Sequence, residues 1–307
     1  MTSHTAPLSI AQATKLRKIL EDRGFDFMEK PYTIYAAKKG KLSISVYQKG
    51  PKVLIQGKDT EEFVHFILEP EVTGIASPGG HAEPGANEDD EHFAPHFGID
   101  ESGKGDFFGP LVIAGVYTDE KIARHLIANG IMDSKKINTP ARIRELAALI
   151  KATPDIAYDI IAIRPERYNE IYDSFRNLNR MLAWGHATVI EKLIELKPDC
   201  PRALSDQFAR ADVLQTALKN KKITLRLEQR TKGESDTAVA AASILARERF
   251  IDWMDAATKK VGFTIPLGAS PGVVTTGKKL VSLHGKEVLG KFAKLHFKTT
   301  QQVTGLL

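Results

Sequence analysis

The chain of 307 residues has one cysteine, two tryptophans and few aromatics overall, 7% of the total. A single thiol excludes an intrachain disulfide and any zinc site built from cysteines. Cys200 sits in a loop between Pro198 and Pro201 and reads as a small packed residue rather than a nucleophile. No uninterrupted apolar run approaches the roughly 20 residues that cross a bilayer. Residues 1–7 lack a basic segment followed by an apolar core, so no secretory signal is expected and the expected location is the cytoplasm. Residues 74–96 lack lysine and arginine and carry five acids, with few large apolar side chains. Holding Gly79-Gly80, Pro84-Gly85 and Glu88-Asp89-Asp90-Glu91, this stretch is expected to be a flexible acidic linker that nucleic acid repels. Its histidines, His81, His92 and His96, are too irregularly spaced to suggest a metal site.

What is present is ordinary in bulk and uneven in charge. Hydrophobic content of 42% and charged content of 26% fit a globular chain, and the length allows two domains. Net charge is +5, with a pI near 9.0. Residues 97–307 hold 32 basic against 24 acidic side chains, so this larger segment is basic. That balance suits a nuclease or polymerase, although a basic surface is often only solvated charge.

Residues 1–73 read as a small α+β domain. Ser9 is positioned to cap a helix carrying Ile10, Ala13, Leu16, Ile19 and Leu20, which Gly24 ends. Strands are expected over residues 32–37, 42–47 and 52–56, joined by turns at Gly40 and Gly50. A second helix follows Thr60 and carries Phe63, Phe66, Ile67 and Leu68. One sheet face is covered by helices. Lysines 38, 39, 41, 49 and 52, with Tyr35 and Tyr47, could grip a phosphate backbone on the other, or simply protect the sheet edges.

The stretch with most chemistry is residues 97–117, where Asp100-Glu101-Ser102-Gly103-Lys104-Gly105-Asp106 leads into the apolar run Leu111 to Tyr117. Adjacent carboxylates favour hard divalent cations, and glycines flanking a lysine let backbone approach a phosphate-bearing ligand. Beyond it, helices are expected over 119–129, 139–150, 177–196 and 238–254, and strands over 157–163, 202–206 and 223–228. Such alternation predicts a central mixed sheet flanked by helices.

Two distant acids follow the same logic. Asp206 ends an apolar strand, and Glu234 precedes the Ala-rich helix 28 residues later. In α/β sheets, strand ends and helix N-termini gather at one site, so these acids can converge on Asp100 and Glu101. Converging carboxylates repel unless cations lie between them, and two divalent ions would relieve that repulsion. Neighbours on a strand point to opposite faces, so Asp100 and Glu101 can share a centre only where the strand ends. Asp236 reads as a helix N-terminal acid, and Ser134-Lys135-Lys136 as a phosphate grip or a solvated turn. His296 could shuttle a proton or simply pack between Leu295 and Phe297.

Taken together, these motifs resemble the type 2 ribonucleases H, and among them ribonuclease HIII. The resemblance rests on Gly98 to Pro110, Asp133-Ser134-Lys135-Lys136, Asn179 to Ala187, Asp206-Gln207-Phe208, Lys232-Gly233-Glu234-Ser235 with Ala240 to Arg247, and Ala293 to Phe297. The Gly-Lys-Gly turn and Glu234 favour the HIII branch. It implies a ribonuclease H-like catalytic domain over 97–307, joined by linker 74–96 to a TATA-box-binding-protein-like substrate-binding domain over 1–73. It further implies endonucleolytic cleavage of RNA in RNA–DNA hybrids, leaving 5′-phosphate and 3′-hydroxyl ends. Asp100, Glu101, Asp206 and Glu234 would hold two Mg²⁺ or Mn²⁺ ions. Ser102, Gly103, Lys104 and Gly105 would read ribose hydroxyls, while Ser134, Lys135 and Lys136 hold phosphates. Ser102 replaces an apolar residue common in the family and leaves only fine substrate preference open. No membrane and no obligate protein partner are implied, and a monomer is expected. A DNA nuclease using the same acids, and a silent hybrid-binding protein, are the competing readings.

Overall fold

The computed structural model describes residues 3–48, 51–57, 60–73, 93–131, 137, 139–206, 208, 211–230 and 233–305. The chain divides into two compact units, Met1–His81 and Ala82–Leu307.

In the first unit the elements are β1 (Ser3–Pro7), α1 (Ile10–Asp22), β2 (Asp26–Met28), β3 (Thr33–Lys39), β4 (Leu42–Tyr47), β5 (Lys52–Gln56) and α2 (Thr60–Phe63), which continues as π-helix over Val64–Thr73. The five strands form one antiparallel sheet in the order β1-β5-β4-β3-β2. Ser9 starts α1 with a capping box, its hydroxyl accepting from Gln12 N while the Gln12 side chain accepts from Ser9 N. The core joins Leu16 and Leu20 of α1 to Ile44, Val46, Val53 and Ile55 of the sheet. Three of the five strands were expected; β1 and β2 are additions at the two edges. Tyr35 corrects a second expectation. It lies on the core face, 7% exposed, with its hydroxyl donating to Ala13 O at 2.7 Å, so it is not available to stack on a ligand.

The second unit is built on β6 (His96–Ser102), β7 (Leu111–Thr118), α3 (Glu120–Ala128), α4 (Pro140–Ala152), β8 (Tyr158–Ile163), α5 (Pro165–Phe175), α6 (Leu178–Leu196), β9 (Arg202–Asp206), α7 (Ala211–Asn220), β10 (Arg226–Arg230), α8 (Thr237–Val261), α9 (Pro271–His284) and α10 (Thr299–Thr304). Its sheet order is β10-β9-β6-β7-β8. The β10–β9 and β9–β6 pairs are parallel, and β6–β7 and β7–β8 antiparallel, which is the mixed sheet expected. Expected helices start at side-chain caps: Asp119, Thr139, Asn177 and Asp236 each accept from backbone N–H groups of the first turn.

The two sheet faces bury separate cores. Val112, Ala114 and Val116 pack with α3, α4, α8 and α9, whereas Phe97, Ile99, Leu111 and Ile113 pack with α5, α6 and α7. On the α8 side the approach is close: a Cβ on Gly98 would stand 2.2 Å from the Ala238 carbonyl carbon, so only glycine lets this helix start seat on β6.

Two sequence expectations shift. The strand expected at residues 223–228 lies at Arg226–Arg230 instead, because Ile223 closes α7 through its N–H to Leu218 O. His96, assigned to the linker, is the first residue of β6 and fully buried; its Nε2 lies 3.0 Å from Asp236 Oδ1, tying the strand start to the α8 cap. Residues 74–92 of the expected linker lie outside the described residues.

Candidate active site

Parallel pairing of β6 with β9 decides which acids meet. Ile99 is in register with Ser205, so the next residue on each strand, Asp100 and Asp206, stands at the same level at the carboxyl ends of adjacent strands. Both side chains point to the α8 side. There Ser243 donates to the Asp100 carboxylate, and the Arg247 guanidinium acts on it electrostatically. Asp206 Oδ1 accepts from Gly233 N at 3.0 Å, which fixes the 3₁₀ turn Gly233–Ser235 beside it. The backbone carrying Glu234 is therefore at this strand end; its side chain lies outside the description.

Burial pushes the Asp100 carboxyl up to about 7, and the charges of Glu101 and Asp206 add to the rise. Positive charge arriving beside this carboxyl would favour its ionised form.

Glu101 obeys strand alternation and faces the other way. Its Oε2 lies 3.1 Å from Nε2 of His186 on α6, and its Oε1 accepts from Lys104 Nζ at 3.4 Å. Burial would raise its pKa, but the His186 contact and the Lys104 ammonium outweigh that and hold the carboxyl below its ordinary range. His186 is fully buried, and its Nδ1 lies 3.2 Å from Ser205 Oγ. Phe208 packs on the imidazole at 4.5 Å, with the Lys104 ammonium 5.7 Å from the same ring.

The turn after β6 is shaped by Gly103. Its φ is +85°, and a Cβ there would sit 2.2 Å from Pro110 O and 2.8 Å from the Phe250 ring. Gly105 has open space in the corresponding direction. The exit limb is held from below. Asp106 Oδ1 accepts from Gly268 N at 2.6 Å, and the fully buried Lys294 donates from Nζ to Asp106 O at 2.8 Å. Burial lowers the Lys294 pKa to about 7.

The sequence-derived residues therefore divide. Asp100 and Asp206 are brought together, Glu101 lies beside them on the opposite side of the same strand end, and Ser102 to Gly105 form the adjoining turn. Ser134, Lys135 and Lys136 lie outside the described residues, although Arg247 fixes the loop's end by donating to Ile137 O at 2.7 Å. His296 resolves as a packed residue: it stacks on Tyr172 at 4.2 Å, and burial lowers its pKa to about 4. Cys200 is buried, with its thiol pushed up to about 11 by burial, which leaves it inert at neutral pH. His186 and Ser243 sit within motifs noted in the sequence, and Ser205 in the expected strand 202–206, none with a role assigned.

An all-carboxylate donor set beside a buried carboxyl of raised pKa fits a hard divalent cation. Among the described residues, no three His, Cys, Asp or Glu side chains form a group that could hold a metal ion.

The sequence model of the family "Ribonuclease HII" matches residues 97–300, and that of a domain of unknown function (DUF3378) matches residues 8–75. The ribonuclease HIII of Protochlamydia amoebophila is 44% identical, over 97% of this chain and 95% of its own. That of Chlamydia felis is 41% identical, over 98% and 97%. Among solved structures, Bst-RNase HIII in complex with Mn²⁺ superposes with a TM-score of 0.66 at 27% identity, covering 99% of both chains. By family model, full-length relatives and fold, the chain belongs to the ribonuclease HIII family, and so to the metal-dependent endoribonucleases.

Proposed function

We propose that the chain hydrolyses the RNA strand of RNA–DNA hybrids with two divalent cations, Mg²⁺ or Mn²⁺, leaving 5′-phosphate and 3′-hydroxyl ends. The observation that carries this reading is the side-by-side placement of Asp100 and Asp206 at adjacent strand ends, with the Asp100 carboxyl raised to about 7. Asp100, Asp206, Glu101 and Glu234 hold the ions. When bound, the ions neutralise the crowded carboxylates, activate water and stabilise the leaving oxygen. That Bst-RNase HIII was solved in complex with Mn²⁺ supports a divalent cation as the cofactor.

Substrate choice rests on the turn. Gly103 and Gly105 bring backbone amide and carbonyl groups against a minor groove in which 2′-hydroxyls mark the RNA strand, with Ser102 beside them. Lys104, already 3.4 Å from Glu101, supplies positive charge where a phosphate meets the carboxylates. Ser134, Lys135 and Lys136 grip further phosphates.

The domain division follows from these roles: residues 1–73 bind substrate, the chain from β6 at His96 onward catalyses, and the stretch between them links the two. The sheet face opposite the core, where Lys38 pairs with Ser43 and Tyr47 with Lys52, carries lysines and hydroxyls suited to a duplex backbone. We further propose a monomer acting in the cytoplasm without an obligate protein partner. Among the described residues no helix is long and apolar enough to cross a membrane.

Strand-labelled RNA–DNA hybrid incubated with Mg²⁺ or Mn²⁺ tests the reading. Cut RNA with intact DNA supports it; cut DNA marks a DNA nuclease, and an intact duplex marks a binding protein.

A further inference from the structure

His186 is a buried imidazole that touches two strand ends of the site at once. It projects from α6, on the face opposite α8, and is fully shielded from solvent. One ring nitrogen meets Glu101 Oε2 at 3.1 Å, and the other meets Ser205 Oγ at 3.2 Å. Ser205 in turn donates to the carbonyl of Asp206 at 2.9 Å. An ionised carboxylate can only accept, so Nε2 carries the hydrogen in the Glu101 contact. The ring is clamped on its flank by Phe208 at 4.5 Å. A single rigid side chain thus connects the end of β6 to the end of β9, at the level where Asp206 stands.

We infer that His186 is a positioning residue: it fixes the orientation of the Glu101 carboxylate and its spacing from the Asp206 backbone, and thereby sets the affinity of the site for divalent cations. The inference rests on the metal-binding role proposed above. Its physical basis is that Glu101 has rotatable side-chain bonds, which the contacts from His186 and Lys104 restrict. Holding one oxygen from outside leaves the group pre-oriented for a cation. The exposed partner, Lys104, is 36% accessible at its side chain and contacts Glu101 over a longer distance, so it constrains the carboxylate less.

Titration of the EDTA-treated full chain with Mn²⁺, reading free Mn²⁺ by electron paramagnetic resonance, tests this without using activity. His186→Asn keeps a donor near Ser205 but leaves Glu101 Oε2 without one, and should weaken Mn²⁺ binding about 10–100-fold. His186→Gln places its amide nitrogen near the lost Nε2 and should stay within about threefold of the wild type. Ser205→Ala removes the other anchor of the ring with little change in volume and should weaken binding several-fold; it decides the matter if His186→Asn does not fold. Wild-type affinity in Ser205→Ala together with a folded His186→Asn would overturn the inference. So would equal losses in the Asn and Gln variants, which would mark a packing defect. If the wild-type chain itself binds no Mn²⁺, the functional reading fails; if it binds and the variants match it, only the role of His186 fails.

Discussion

Asp100 and Asp206 occupy the same level at the ends of two adjacent parallel strands, one step past the Ile99–Ser205 pair, and the Asp100 carboxyl is raised to about 7 as a result of burial and of its acidic neighbours. A fold that stores repulsion of this kind is less stable than the same fold without it.

Asp100→Asn should therefore stabilise the metal-free protein while abolishing cleavage. The unfolded carboxyl ionises near 3.8 and the folded one near 7, so its destabilising effect is absent at pH below 3.8, grows between these values and is complete above 7. The advantage of the Asn variant should be larger at pH 8 than at pH 5 by on the order of 2 kcal/mol. Thermal unfolding in EDTA at both pH values checks it. An advantage independent of pH would show that Asp100 is not held under this strain.

Lys294 gives the mirror-image case. Its folded pKa of about 7 lies below the unfolded value of 10.5, so burial of the ammonium destabilises the fold fully below pH 7 and progressively less towards 10.5. Lys294→Met loses the hydrogen bond to Asp106 O at every pH. Its stability relative to wild type should still be better at pH 6 than at pH 9, by on the order of 2 kcal/mol. Denaturant titrations at the two pH values would measure the difference, and a reversed sign would contradict the assignment.

The two turn glycines should respond differently to the same change. Gly103→Ala puts a Cβ against Pro110 O at positive φ and should cost roughly 2–4 kcal/mol of stability. Gly105→Ala meets nothing in the protein and should leave the melting temperature unchanged, yet raise KM for hybrid by blocking close backbone approach. Unaltered hybrid kinetics in a folded Gly105→Ala protein would remove the turn from substrate reading.

Much of this arrangement was legible in the sequence, and the gaps have physical causes. Helix starts with a polar cap, at Thr139, Asn177 and Asp236, could be read because capping is local chemistry. The strand β10 was displaced in the reading because its residues, Arg226 to Arg230, alternate charge rather than hydrophobicity. Glu228 is buried there between Arg202, Arg226 and Arg230, an ionic interior no apolar pattern announces. Helix α9 was missed because it buries little beyond Val273, Gly277 and Leu280 and carries β-branched residues in its exposed turns. For the site, the acids themselves were visible. What holds them was not: His186 lies 85 residues from Glu101 in the chain, and only the packing of α6 on β7 brings them together.

Binding to hybrid should weaken steeply with salt, since lysines on the first sheet and around the turn would displace counterions from phosphates. Lys38→Ala and Lys52→Ala, both at exposed positions on the sheet face opposite the core, should each reduce the slope of log affinity against log salt by about 1. Fluorescence anisotropy across a salt series in EDTA reads this directly. Slopes identical to wild type would take that face out of substrate binding.

The account stands or falls on whether the separated acids share a cation. Crystals of the full chain soaked with Mn²⁺ and measured at its absorption edge would locate it. The expected result is an anomalous peak bounded by the Asp100 and Asp206 carboxylates; a peak elsewhere, or none at this strand end, would contradict it.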